Sequence, residues 1–333
     1  MDQFNVYKDM KARTNGEIYI GVVGPVRTGK STFIKRFMNL MVLPNIEDEN
    51  DRNRANDELP QSSSGKTIMT TEPKFVPNEA VSIKTEEGIE LNVRLIDCVG
   101  YMVEGATGHM EGEEERLVKT PWFDYEIPFT KAAAIGTKKV ITEHSTIGVV
   151  VTCDGSFGEI AAKQYEPAEE ETIKQLKALK KPFVVLLNTI HPYSESTKQL
   201  AAEKEEKYQT KVLPMNLEQM KKEDIYEIIK SVLMEFPISS IGFYVPRWTE
   251  MLKKDHPLKM ELLQMARDVI TEKTTMRDIY EEQEKEYEYI TGQKLESVAM
   301  DSGEVVITVK VGDVYYYEFL SETTGMEIRN EYE

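Results

Sequence analysis

The loop Gly24-Pro25-Val26-Arg27-Thr28-Gly29-Lys30-Ser31 constrains this 333-residue chain more than any other stretch. It is a full match to G-x-x-x-x-G-K-[ST]. The run before it, Ile18 to Val23, is short, apolar and β-branched, which suits a buried strand. After it, Phe33, Ile34, Phe37, Met38 and Met41 recur at helical spacing. Strand, glycine loop and helix in that order are the context that makes the match a P-loop.

The residue types follow from phosphate chemistry. Gly24 and Gly29 let the backbone turn its N–H groups toward a phosphate chain, with Pro25, Val26, Arg27 and Thr28 between them. The helix start, through Ser31 and Thr32, adds unsatisfied donors and the positive end of the dipole. Lys30 can set its charge against the β- and γ-phosphates, and Ser31 can hold Mg²⁺. Two readings of Arg27 stay open: it stabilises charge on the phosphates, or it pairs with acidic loops.

Downstream stretches add to the site. Residues 61–73, QSSSGKTIMTTEP, form a Ser/Thr-rich loop in which Thr70 and Thr71 are placed to complete the Mg²⁺ shell and sense a γ-phosphate. Two alternating runs around Glu87-Gly88 then read as a β-hairpin, and the second ends in Asp97-Cys98-Val99-Gly100. Asp97 suits the water shell of Mg²⁺, and Gly100 can turn its N–H toward the γ-phosphate. D-x-x-G is a weak signal alone and gains meaning from following a P-loop. The expected metal set is Ser31, Thr70 and Asp97, and the expected catalytic set is Lys30, Thr70, Thr71 and Asp97.

Charge and composition exclude other chemistries. A formal net charge of -17 opposes nucleic acid and anionic lipid. Cys98 and Cys153 form no C-x-x-C pair, and the four histidines are scattered, so no zinc-type cluster is expected. No apolar run approaches the ~20 residues that span a bilayer.

Strands alternating with helices through residue 236 imply a mainly parallel sheet covered on both faces. Residues 101–130 read as irregular, with Trp122, Phe123, Tyr125 and Phe129 pinning them to the domain. Helices are expected over 3–13, 131–144, 169–180, 198–208 and 224–236. After Pro237 the pattern changes to a smaller α+β segment. There, 249–253 and 258–289 read as helical, and 304–320 as a hairpin turning at Gly312-Asp313. The expected division is 1–238 and 239–333.

A hairpin that sets a D-x-x-G strand beside the P-loop strand is the layout of Ras-like GTPases. Those proteins read guanine with N-K-x-D after a later strand, where this chain has Asn188-Thr189-Ile190-His191. Asn188 is kept as a nucleotide-binding candidate. Thr189 cannot lie along the base as lysine does, and His191 cannot accept both guanine N–H groups. Such losses cost orders of magnitude in discrimination, so ATP becomes the expected substrate. Tyr101 stands where Ras-like proteins position water with glutamine, so hydrolysis is expected to be slow.

The strings GVVGPVRTGKSTFIKRFM, LPQSSSGKTIMTTEPKFVPN, RLIDCVGY, EHSTIGVVVTCDG and GMEIR resemble the stage IV sporulation protein A family, the morphogenetic ATPases of the spore coat. The resemblance is dense over residues 1–245 and looser beyond. It implies an α/β P-loop NTPase of the Ras-like, translation-factor-related type, followed by a smaller α+β domain. It matches Lys30 to the Walker-A lysine, Asp97 to the Walker-B aspartate, and Thr70 and Thr71 to the sensor threonines. It also implies Mg²⁺-dependent ATP hydrolysis that supports self-association into a polymer on the forespore surface, in the mother-cell cytoplasm. Family chains are longer. Their C-terminal region, absent by this reading, meets a small amphipathic membrane-anchor peptide and other coat proteins. A regulatory nucleotide switch that binds effectors without polymerising is the competing expectation.

Overall fold

The computed structural model describes residues 5–60, 72–85, 88–111, 114–158, 160–280 and 285–332. Thr70, Thr71 and the rest of the expected sensor loop up to residue 71 lie outside the described residues. The chain divides into two compact units, Met1–Glu235 and Phe236–Glu333.

The first unit opens with helix α1 (Val6–Arg13), whose N-cap Asn5 accepts a hydrogen bond from Lys8 N. Strand β1 (Glu17–Val23) leads through the glycine loop into α2 (Lys30–Phe37), which buries Phe33, Ile34 and Phe37 and widens into a π turn over Met38–Val42. α3 (Glu49–Asp57) starts at its Asp48 cap. Strands β2 (Lys74–Lys84) and β3 (Glu90–Asp97) pair antiparallel, as the hairpin reading predicts.

Residues 101–128 are more ordered than their composition suggests. They hold two small hairpins: β4 (Met110–Glu111) with β5 (Glu114–Glu115), and β6 (Leu117–Thr120) with β7 (Phe123–Pro128). Phe129 is fully buried, but Tyr125 is 62% exposed and pins nothing.

Helix α4 (Phe129–Lys139) then precedes β8 (Ile147–Cys153), α5 (Ala162–Ala178) and β9 (Phe183–Asn188). α6 (Glu195–Tyr208), β10 (Val212–Met215) and α7 (Lys222–Met234) complete the unit. α5 starts at Ala162 rather than at residue 169, because Gln164 Oε1 accepts from Ala161 N at 3.0 Å and caps an earlier turn.

The sheet order is β10-β9-β8-β1-β3-β2. Every pair is parallel except β2 with β3. β8 and β9 are buried at every position, which is why their sequences run apolar without alternating. The loops at the C-terminal ends of β1, β3, β8 and β9 therefore gather along one edge, where open parallel sheets bind ligands.

The second unit contains β11 (Ser240–Tyr244), α8 (Pro257–Glu272), β12 (Ile290–Ala299), β13 (Glu304–Val311) and α9 (Asp313–Thr324). Its sheet runs β11-β13-β12. Two expectations fail here. The helix expected to reach 289 ends at Glu272, since the Asp278 carboxylate accepts from Thr274 N at 2.9 Å and Thr275 N at 2.7 Å and folds the chain into a turn. The hairpin expected at Gly312-Asp313 is instead the junction of β13 with helix α9. β13 pairs antiparallel with the preceding β12. The aromatic run that reads as a strand is held helical by side-chain packing: Trp248 lies 5.7 Å from Tyr316 and 5.6 Å from Phe319.

One buried charge pair ties three elements of the first unit. The Glu169 carboxylate of α5, fully buried, accepts from Lys204 Nζ of α6 at 2.7 Å and from Thr152 Oγ1 of β8 at 2.5 Å. Replacing Lys204 by methionine leaves that carboxylate buried without its cation. The Lys204→Met chain should lose about 3–5 kcal/mol in denaturant unfolding of this unit. A loss below about 1 kcal/mol would mean that the pair is not the tie described here.

Candidate nucleotide site

The glycine loop is fixed by close approaches that leave no room for side chains. Gly24 has φ 125°, and a Cβ there would lie 2.4 Å from Val151 O. Gly29 caps α2 at φ 104°, and a Cβ there would meet Asn188 Nδ2 at 2.7 Å. Thr28 Oγ1 donates to Pro25 O at 3.0 Å and braces the loop from inside. Pro25, Val26 and Thr28 are buried, Arg27 is exposed, and Thr32 in the first turn of α2 is half-buried.

Lys30 is buried, and its Nζ donates to Pro25 O at 2.5 Å and Gly24 O at 3.4 Å. Burial lowers its pKa, and the nearby Cys98 and Asp97 oppose that shift. An ammonium held by carbonyls at the mouth of a loop of N–H donors is a site for a phosphate chain.

The end of β3 closes on this loop. Val22 pairs with Asp97, and the parallel pairing resumes beyond the glycines, where Pro25 faces Tyr101 and Val26 N donates to Tyr101 O at 3.0 Å. Gly100, at φ 94°, makes this possible: a Cβ would lie 2.1 Å from Gly24 O and 2.7 Å from Lys30 Nζ. Asp97 is thereby set against the start of α2, where its Oδ2 accepts from Ser31 Oγ at 2.8 Å. Burial raises the Asp97 pKa, and the Lys30 charge and the Ser31 hydroxyl oppose the rise.

The donor set suits Mg²⁺. Asp97 Oδ1 is buried and has no hydrogen-bond partner among the described residues, although its carboxylate lies beside a serine hydroxyl. One carboxylate and one hydroxyl, both hard oxygen donors, match an ion that keeps several waters and shares phosphate oxygens. Among the described residues there is no group of three or more His, Cys, Asp or Glu that could hold a metal, so an all-protein metal cage does not compete there. Cys98 is no nucleophile. Burial pushes its thiol up to about 11, and its Sγ packs 3.4 Å from Val22 O.

Tyr101 turns away from any water-positioning role. It packs partly buried beside Val26, Val103, Ala106 and Tyr165, and burial is the main reason its phenol is pushed up to about 12. Arg27, in the left-handed region at φ 61°, donates to Thr107 Oγ1 at 3.0 Å, a neutral partner that sequence reading did not single out.

The loop after β9 is locked from below. Asn188 Nδ2 donates to Thr28 O at 3.0 Å, and its Oδ1 accepts from Leu217 N at 3.3 Å, so both ends of the amide brace backbone. Thr189 is fully buried and donates to Asp154 Oδ2 at 2.5 Å. Asp154 Oδ1 accepts from Ser156 N at 2.9 Å, and Ser156 Oγ accepts from Ile190 N at 3.1 Å. Thr189 Oγ1 also accepts from His191 N at 3.1 Å, while the His191 side chain is exposed. Thr189 and His191, at the positions where guanine readers are expected in a Ras-like layout, are thus a buried brace and a surface imidazole. Asp154 and Ser156 escape sequence reading because nothing in Cys153-Asp154-Gly155-Ser156 marks them as more than a strand end.

The model of the stage IV sporulation protein A ATPase domain matches residues 1–237, and that of the same family's middle domain matches residues 238–333. The chain belongs to the stage IV sporulation protein A family. Stage IV sporulation protein A of Clostridioides difficile (strain 630) is 48% identical over 331 residues, and those of Bacillus anthracis and Bacillus subtilis (strain 168) are 46% and 45% identical over the same length. Each alignment covers 99% of this chain and 67% of the relative. Family membership makes this a sporulation protein with an ATPase domain, which fits the loop, the lysine and the aspartate just described.

Two outcomes test the geometry. Gly100→Ala should abolish nucleotide binding in a calorimetric titration, because its methyl would collide with Gly24 O; wild-type affinity would refute the close approach. Protonated Asp97 cannot serve a cation, and its pKa is raised, so Mg²⁺-dependent affinity should fall on acidification, starting above the ordinary carboxylate range. In Asp97→Ala that acid-side loss should shrink to the part due to protonation of the nucleotide's own phosphate, and more Mg²⁺ should be needed; a pH profile identical to that of wild type would remove Asp97 from the metal site.

Proposed function

We propose that this chain binds Mg·ATP at the Gly24–Ser31 loop and hydrolyses it slowly, on a unit of the Ras-like, translation-factor-related type. The observation that carries this is the Asp97 carboxylate, with one oxygen on Ser31 and the other buried and orphaned, at the end of the strand that closes on the phosphate loop. Ser31 and Asp97, with Thr70 as the third expected donor, would hold Mg²⁺, which draws charge from the phosphate oxygens when bound. Lys30 holds the phosphate chain, and the loop N–H groups orient it. Gly100 brings the backbone after β3 against the loop and excludes bulk water there. Tyr101, neutral at physiological pH and turned into its apolar cluster, removes no proton. The slow rate follows from the lack of an amide in that place.

Hydrolysis, in this reading, drives self-association into the basement layer of the spore coat, at the forespore surface in the mother-cell cytoplasm. The family membership supports that role. Attachment would come through partners, a small amphipathic membrane-anchor peptide and other coat proteins. Among the described residues no helix is long and apolar enough to cross a membrane.

Base choice follows from the braced loop after β9. ATP turnover should exceed GTP turnover at equal concentration. Equal or faster GTP turnover would sink the ATP assignment. Thr70 and Thr71 test the sensor reading. A contact made only to the γ-phosphate lowers the barrier but adds little overall affinity. The double change Thr70→Ala, Thr71→Ala should therefore keep ATP affinity within about tenfold, ~1.4 kcal/mol, while single-turnover hydrolysis falls much further. Collapsed affinity with an unchanged rate for the bound fraction would make them binding residues instead.

A further inference from the structure

The first unit gathers lysines from two helix ends at the edge opposite the nucleotide loop, where one of them, Lys139, is paired with Glu143 at 2.8 Å. β1, β3, β8 and β9 all run toward the nucleotide edge, so α4 and α5, which lead back to the starts of β8 and β9, end at the far edge. Lys138, Lys139, Lys174, Lys177, Lys180 and Lys181 collect at those helix ends, in a chain of net charge -17. The two ends lie together. Val140 and Ile141 share one core cluster with Ile173 and Leu176, and Lys181 Nζ donates to Ser145 Oγ at 3.2 Å. Lys138, Lys174, Lys177 and Lys180 are exposed, and Leu179 beside them is 45% exposed.

The segment after β3, at the nucleotide edge, carries the opposite sign. Its described residues within 101–128 include six acidic and two basic ones. Glu104, Glu111, Glu114, Asp124 and Glu126 are exposed, and so are the apolar Leu117 and Tyr125. The segment hangs from the phosphate loop through Val26 N to Tyr101 O and Arg27 to Thr107, and from the start of α4 through Thr130 N, which donates to Glu115 Oε1 at 2.8 Å.

We propose that the acidic hairpin segment of one copy docks on the lysine end of another, a head-to-tail contact between copies of this chain. This rests on the self-association reading and names its surfaces. The partner is a second copy because the chain itself supplies the complement to each patch. A polyanion or an anionic bilayer would meet the long-range repulsion of the remaining acidic surface. Complementary patches steer the encounter and fix its register, and the exposed Leu117, Tyr125 and Leu179 add apolar area to bury. The two patches are different surfaces at opposite ends. The contact is therefore heterologous and can repeat into an open row instead of closing as a symmetric pair. Because the segment is bonded to the phosphate loop, what binds in that loop bears directly on the docking surface.

The test uses the whole chain in sedimentation velocity at low and high salt. Wild type supplied with Mg·ATP should associate with rising concentration and come apart as salt screens the patches. Lys174→Glu, Lys177→Glu, Lys180→Glu in one variant, and Asp124→Lys, Glu126→Lys in another, should each weaken association at least about tenfold. Mixing the two variants should restore it, since each then meets an opposite patch. Asp124→Cys mixed with Lys180→Cys, with oxidised glutathione as the electron acceptor, should form a disulfide between copies. ATP turnover in dilute solution should be unchanged in the charge variants, which separates a failure of this contact from a failure of the ATPase reading. A wild type that stays monomeric at low salt with Mg·ATP, a reversal that leaves sedimentation unchanged, or lysine-dependent capture of phosphatidylglycerol vesicles without association of copies would overturn the proposal.

Discussion

No side chain fits between Gly24 and Gly100, and the site is built around that contact. A Cβ on Gly100 would lie 2.1 Å from Gly24 O, inside any permissible separation. The approach carries the β1–β3 pairing past the glycines to Pro25 and Tyr101, and so sets Asp97 against Ser31. It also encloses Lys30, whose charge is held by two loop carbonyls and faces Asp97. A parallel sheet whose strands end together brings these parts to one edge without long-range adjustment.

The same edge braces the phosphate loop from the neighbouring strand ends. Asn188 braces the phosphate loop through Thr28 O. Thr189, one residue on, is withdrawn into the core by Asp154. That bond and the Asn188 amide tie the loop after β9 to the strand end of β8 and to the phosphate loop.

Much of this was legible in the sequence because the signals were local. Glycine spacing fixed the phosphate loop, alternation fixed β2 and β3, and unbroken apolar runs marked β8 and β9. What escaped depends on partners distant in sequence. Asp154 gains its role only when β8 and β9 lie side by side. The hairpins within 101–128 are too short for alternation to register. In the second unit, aromatic residues that favour strands became helix α9 because Trp248 stacks on Phe319 and lies beside Tyr316. Local propensity yielded there to packing.

The central claim is that one site, made by Lys30 and the Asp97 strand end, holds Mg·ATP. Calorimetric titration of Mg·ATP into this chain and into Lys30→Ala tests it most directly. The account predicts one saturable site per wild-type chain and no measurable binding to Lys30→Ala, with circular dichroism showing both folded. A folded Lys30→Ala chain that binds Mg·ATP as wild type does would contradict it.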